Sequence, residues 1–162
     1  MKLNVSYSNE NTTISFGSEV VQIKAFQIIV LVSVMSDEID AWDPRAPRFP
    51  AILNVGNNHN FANSVNHLVR WAGIQPASLV ELKHMREGGQ RVPLRGGSLW
   101  LHTNRDPFKL IVEDGIAVYE SDGPRLPILG LRALPNSKLQ TLIYGNTKQV
   151  IMRTPPKWYW PF

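Results

Sequence analysis

The chain of 162 residues contains no cysteine, which excludes a disulfide framework, a thiolate metal site and a cysteine nucleophile. That absence fits a reducing compartment, and a cytoplasmic location is the expectation. Charge is also sparse, at 19% of residues, and it carries a mild positive bias of +4 with a pI near 9.6. The basic residues stand singly or in pairs, without a Lys/Arg block or a basic helix. A solvated, slightly positive surface is therefore the first reading, and a basic β-barrel that binds nucleic acid is the alternative. Long apolar runs are missing too. Ala25 to Met35, broken by Gln27 and Ser33, falls short of the roughly 20 residues that span a bilayer. It has no basic leader and lies too far along the chain for a signal peptide, so no membrane partner is expected. Without a secretion signal, Asn4-Val5-Ser6 and Asn11-Thr12-Thr13 are read as chance matches to the glycosylation sequon.

Several catalytic patterns are absent as well. There is no Gly-x-Ser-x-Gly elbow, and Gly17-Ser18 and Gly97-Ser98 read as turns. No glycine-rich phosphate loop occurs, so a nucleotide cofactor is not expected. The four histidines, His59, His67, His84 and His102, show no His-x-x-x-His spacing and no paired carboxylate. Neither a metal site nor any other cofactor is anticipated. Asp106, Asp114 and Asp122 all sit in turn contexts and read as turn formers.

What remains is β-prone sequence punctuated by turn residues about every ten positions, the pattern of an all-β fold. A hydrophobic content of 43% over this length suits one domain, residues 1–162, with a sizeable core. Residues 3–7 and 12–16 predict an N-terminal hairpin within 1–17. Val20 to Met35 predicts one long strand or two with a bend near Lys24. Residues 37–50, rich in proline, predict a surface loop that leads into a strand over Ala51 to Leu53. Asn57-Asn58-His59-Asn60 reads as a hydrogen-bonded polar loop. Asn63 or Ser64 caps a helix over Val65 to Ala72, and Gly73 ends it. Glu87-Gly88-Gly89-Gln90 marks a hairpin tip, and Gly96-Gly97 a bend in the returning strand. Phe108–Val112 and Ile116–Tyr119 predict a further hairpin about Glu113-Asp114-Gly115. Leu131 to Leu134 predicts one helical turn stopped by Pro135-Asn136, and a last hairpin surrounds Gly145-Asn146. The tail, residues 155–162, carries Trp158-Tyr159-Trp160. It is expected to pack on the barrel or a partner subunit, or to dock a peptide or another protein.

Two stretches carry a family resemblance. Ala51-Ile52-Leu53-Asn54-Val55-Gly56 is an apolar strand running into a polar residue, a β-branched residue and glycine. Ile128-Leu129-Gly130, followed by Leu131-Arg132-Ala133-Leu134, is an apolar-apolar-glycine triplet before a short helix. With the hairpin at Gly88-Gly89 between them, they resemble the retropepsin-like aspartic peptidases over roughly residues 20 to 154. Residues 126–134 and 138–150 are similar to the C-terminal third of bacterial members. The resemblance implies an all-β closed barrel with one or two short helices, and a homodimer whose site lies on the two-fold axis. It also implies a flap, Arg86 to Arg91, that pairs with an extended peptide or protein substrate. By similarity the catalytic triplet is Asn54, Val55 and Gly56. Substrate binding falls to Gly88, Gly89, Ile128, Leu129 and Gly130, with Gly130 packing beside the catalytic loop and Ile128 and Leu129 at the site or its floor.

The triplet departs from the family's Asp-Thr/Ser-Gly. Two facing carboxylates share one proton, which lets one activate water while the other polarises the peptide carbonyl. Asparagine hydrogen-bonds but exchanges no proton near neutral pH, so in a homodimer the general base is lost twice. Valine keeps the shape of threonine and loses its hydroxyl. Two changes in one triplet read as drift toward a pseudoenzyme, the alternative being an engineered Asn54 on a natural Val55 background. His59, close to the loop, is a candidate for touching a ligand. The expected function is that of an aspartic endopeptidase homologue with little or no hydrolysis, or of a peptide-binding scaffold that keeps groove and flap.

Overall fold

The computed structural model describes residues 1–38 and 40–156; the expected aromatic run Trp158 to Trp160 lies outside them. Strands dominate. β1 (Lys2–Ser6), β2 (Thr12–Phe16), β3 (Glu19–Ile23), β4 (Ile28–Met35) and β5 (Phe49–Asn54) precede a loop that leads to β6 (Phe61–Ser64). Helix α1 (Val65–His67) follows, continues as a π-helical turn (Leu68–Ala72), and gives way to a 3-10 turn (Pro76–Ser78). Then come β7 (Glu81–Glu87), β8 (Gln90–Arg95), β9 (Ser98–Leu101), β10 (Phe108–Leu110), β11 (Ile116–Tyr119) and β12 (Ile128–Gly130). Helix α2 (Ala133–Asn136) and the hairpin β13 (Gln140–Tyr144) and β14 (Gln149–Arg153) complete the described chain.

Nine strands form one sheet in the order β10-β9-β4-β5-β12-β6-β11-β8-β7. Its centre is the β5–β12–β6 group. β12 pairs parallel with β5 through Ile128↔Ile52 and Gly130↔Asn54, and antiparallel with β6 through Ile128↔Ala62. The strand from late in the chain is thus inserted between two strands that follow one another in sequence. The core gathers on the inner face of this sheet, where Val32, Phe49, Phe61, Leu68, Leu99, Leu101, Ile116 and Leu129 are wholly buried. Burial of that many large side chains, at about 1.5–3 kcal/mol each, is the main force holding the sheet in shape.

Three expectations are corrected. The sheet does not close into a barrel: β10 and β7 are its two ends and do not pair with each other. Almost every residue of β7 faces solvent, and its Glu81, Lys83, Arg86 and Glu87 are the charged residues that protect an open edge from further pairing. No hairpin joins residues 3–7 to 12–16. β1 pairs with β14 and β2 with β3, so the two segments belong to different sheets. Nor do the strands on either side of Glu113-Asp114-Gly115 pair. Asp114 and Gly115 do turn the chain with positive φ values of 65° and 94°, but β10 joins β9 while β11 joins β6 and β8.

The bend near Lys24 is present, with Phe26 at φ 64° between β3 and β4. The Gly88-Gly89 and Gly145 hairpins form as their turn residues require. The capped helix is also present: Ser64 Oγ accepts from His67 N at 3.1 Å, and Gly73 ends the segment in the left-handed region at φ 69°. His67 plays the part that glutamate or glutamine has in a capping box. Its Nδ1 accepts from Ser64 N at 3.2 Å, so Nε2 carries the proton and donates to Arg125 O at 3.1 Å. Burial lowers the pKa of this ring, which keeps Nδ1 an acceptor. The contact ties the helix to the segment entering β12. Glu19 fastens the other side, accepting from Trp71 Nε1 at 2.8 Å and pairing with Arg70. No helix among the described residues is long and apolar enough to cross a membrane.

Candidate functional site

β5 delivers Asn54 to the end of the sheet, and the chain reverses there through two linked side-chain turns. Asn54 Oδ1 accepts from Gly56 N at 3.0 Å, and Asn57 Oδ1 accepts from His59 N at 2.9 Å. Asparagine is suited to both positions because its short side chain can mimic a backbone carbonyl. The end of β12 clasps the same loop. Gly130 N donates to Asn60 O, and Leu131 N donates to Asn57 O, both at 3.0 Å. A Cβ at position 130 would lie 1.9 Å from His59 O and 3.0 Å from Asn57 O. Only glycine permits that approach. Asn60, itself buried, extends the clasp by donating through Nδ2 to Glu113 O.

Asn54, Val55 and Gly56 are exposed at this loop, and Leu131 beside it is also exposed. Because Oδ1 of Asn54 is used inside the loop, its Nδ2 donor remains for a ligand. Leu129, anticipated as a lining residue, is fully buried in the core; the alternation along β12 turns Ile128 to the outer face and Leu129 inward.

That outer face bears a cleft of ≈ 410 Å³. Ile128 and Ala62 form its apolar floor, Asn57 and Gly88 stand at its rim, and Glu87, Tyr119 and Asp122 add polar walls. The hairpin of β7 and β8 contributes Glu87, Gly88 and Gln90 to its lining. Gly88 and Gly89 both have positive φ, 55° and 82°, between the paired residues Glu87 and Gln90. This is the two-residue turn whose twist matches paired strands. The structure therefore brings Gly88 and Ile128 together at the cleft. It leaves Asn54, Val55 and Gly56 on the adjoining open loop and Gly89 at the hairpin tip, none of them among the cleft-lining residues.

A second polar group joins the hairpin to the loop. Tyr119 Oη donates to Glu87 Oε2, and His59 Nε2 lies 3.3 Å from Tyr119 Oη and 3.6 Å from Glu87 Oε2. The rings of His59 and Tyr119 meet edge to face at 79° with centroids 6.4 Å apart. Burial, then the hydrogen bond to Glu87, pushes the Tyr119 phenol well above its ordinary range, so it stays a donor at any physiological pH. On the flank, Asp114 pairs with Lys83 of β7 and with Arg132 at 3.1 Å. Those cations, Lys83 foremost, hold its carboxyl below the usual range.

His59 was identifiable beforehand as a residue near the loop. Glu87 was anticipated only as part of the hairpin tip, and Tyr119 and Asp122 not at all: Tyr119 reads as one more strand aromatic, and Asp122, at φ 48°, forms a turn as expected and lines the cleft besides. Among the described residues, no group of three or more His, Cys, Asp or Glu side chains could hold a metal ion. The arrangement offers hydrogen-bond donors and acceptors around an apolar floor, with no carboxylate at position 54. Asn54 itself can give and take hydrogen bonds but exchanges no proton near neutral pH. No family model matches the chain, and no curated protein sequence matches it.

Proposed function

We propose that this chain is a retropepsin-like aspartic peptidase homologue that binds an extended peptide in the cleft beneath the β7–β8 hairpin and hydrolyses it weakly or not at all. The observation that carries the reading is the insertion of Ile128-Leu129-Gly130 between β5 and β6, with Gly130 pressed on the Asn54–Asn60 loop. The resemblance implies the close packing of Gly130 beside the catalytic loop, and the contact of Gly130 with His59 O supports it. The two-glycine hairpin above Ile128 supplies the flap, and its backbone near Gly88 pairs with the peptide as an added strand. A homodimer completes the site by setting two Asn54 loops face to face, covering Val55 and Leu131.

The test is a pair of measurements on one peptide library. The unmodified protein binds extended peptides without cutting them, and Asn54→Asp confers acid-favoured cleavage that a transition-state-mimicking peptide blocks. A dimeric Asn54→Asp protein that cuts nothing in the library would end the protease ancestry as a guide. Failure of the unmodified chain to bind any peptide would end the binding assignment.

A further inference from the structure

The cleft floored by Ile128 carries charge opposite in sign to the chain's own. The chain is positive by +4, yet the charged residues of this lining are Glu87 and Asp122. No lysine, arginine or histidine lines it among the described residues. Asp122 owes its place to close backbone packing. It takes the left-handed conformation at φ 48°. Gly123 beside it lies so near β11 that a Cβ there would stand 2.7 Å from Tyr119 Cβ and 3.2 Å from its Cγ. Ser121 Oγ donates to Gln90 Oε1 at 3.3 Å, which ties the same segment to β8. The two carboxylates are thus carried by separate elements that meet at the cleft.

These anions are not neutralised from within. Tyr119 Oη donates to Glu87 Oε2, and His59 Nε2 lies 3.6 Å from that same oxygen; Oε1 remains to accept from a ligand. The carboxylate of Asp122 has no hydrogen bond or ion pair among the described residues. The rest of the lining is largely apolar or aromatic, with Ile128, Ala62, Pro124 and Tyr119. An apolar floor with carboxylates at its sides suits an alkyl stem that ends in a cation. The stem covers Ile128 and Ala62, and the head reaches the carboxylates. Tyr119 adds an aromatic ring, which also favours a cation. A neutral side chain would strip water from the carboxylates without replacing it, and an acidic one would be repelled. A divalent metal ion needs more ligands than two carboxylates, and no third His, Cys, Asp or Glu completes such a group among the described residues.

We propose that the hairpin cleft is a pocket for a basic side chain, so that an extended peptide bound there is selected for arginine or lysine at the position over Ile128. Glu87 and Asp122 set this preference. The assignment rests on the peptide reading given above for the backbone of its ligand, while the charge of the pocket is measured apart from it.

The experiment has two arms. In the first, a library of extended peptides carries arginine, lysine, norleucine or glutamate at one central position, with the other positions randomised. Peptides with arginine or lysine bind about tenfold tighter than those with norleucine, the modest gain expected of half-exposed charges, and glutamate binds weakest. The advantage shrinks as salt is added. Asp122→Asn, whose side chain tolerates the left-handed backbone, lowers the ratio of arginine to norleucine about threefold. Adding Glu87→Gln abolishes it, with circular dichroism as the check on folding. In the second arm, capped single residues, N-acetyl-arginine and N-acetyl-norleucine methylamides, are titrated while the methyl resonances of Ala62 and Ile128 are followed. Only the arginine compound shifts them. Equal affinity for arginine and norleucine peptides, or a ratio that ignores both substitutions, overturns the pocket and leaves peptide binding standing. Capped arginine that shifts these methyls while no peptide binds supports the pocket and ends the peptide reading. No response in either arm overturns both.

Discussion

Gly130→Ala puts the central contact of the candidate site under direct stress. The added methyl would stand 1.9 Å from His59 O, against an ordinary contact of about 3.5 Å, so roughly 1.5 Å must be found. The opposing atom is backbone, held in a loop whose carbonyls already accept from Gly130 N and Leu131 N, and no side-chain rotation relieves the overlap. Position 130 has no positive φ, so the penalty is steric. Overpacking costs about 1–3 kcal/mol. Displacing the loop also strains two hydrogen bonds worth about 1 kcal/mol each. The sum, about 3–5 kcal/mol, is a large part of the stability of a domain this size. Urea unfolding followed by circular dichroism reads it, with Gly145→Ala as control because nothing lies within 4 Å of a Cβ there. The control stays within about 0.5 kcal/mol of the parent. If Gly130→Ala unfolds at the parent's urea midpoint, the loop is not clasped by β12.

Other consequences follow from single contacts. His102 lies buried under Trp42, its Nε2 2.8 Å from the Oγ of Ser33, which donates to Pro47 O. Burial, with Arg48 nearby, lowers its pKa from 6.5 to about 4. The unfolded chain therefore takes up a proton that the folded chain refuses, and stability is full above pH 6.5 and falls as pH drops toward 4. The complete linkage is about 3 kcal/mol; the ring sits beneath a surface loop, and about half of that should appear in unfolding curves at pH 7 and pH 4.5, vanishing in His102→Gln. An acid-range assay of Asn54→Asp will thus be read against a fold weakening over the same pH interval. Tyr119→Phe removes the hydrogen bond that holds Glu87 to β11; peptide binding weakens about tenfold, for a loss near 1.4 kcal/mol, while the melting temperature moves only a few degrees. Ser64→Ala removes the cap at His67 N and costs about 1 kcal/mol, read as an earlier thermal transition with unchanged peptide affinity.

Local turn chemistry was legible; distant pairing was not. Ser64 and Gly73 announced a helix, and Gly88-Gly89 and Gly145 announced hairpins, because each requirement is met within a few residues. The N-terminal hairpin failed for the opposite reason. β1 matches β14 as well as it would match β2, and nothing near residue 8 says which partner lies closer in space. Asp114-Gly115 did form its turn, yet the strands it joins separate to different neighbours, since turn residues fix a reversal and not a pairing. Within the site, Asn54-Val55-Gly56 and Ile128-Leu129-Gly130 could be matched by resemblance. The link of Tyr119 to Glu87 and His59 could not, because its members come from three separate elements and each has an ordinary local role.

The inserted strand also governs when the site can exist. β5, the loop and β6 are made early, but Asn57 O and Asn60 O meet their donors only when residues 130 and 131 arrive. Closing so long a stretch of chain before any contact rewards it is slow. During synthesis, the Asn54 loop must therefore wait, with its carbonyls in water, until most of the domain has left the ribosome. A chain interrupted before β12 would retain Asn54-Val55-Gly56 and possess no site.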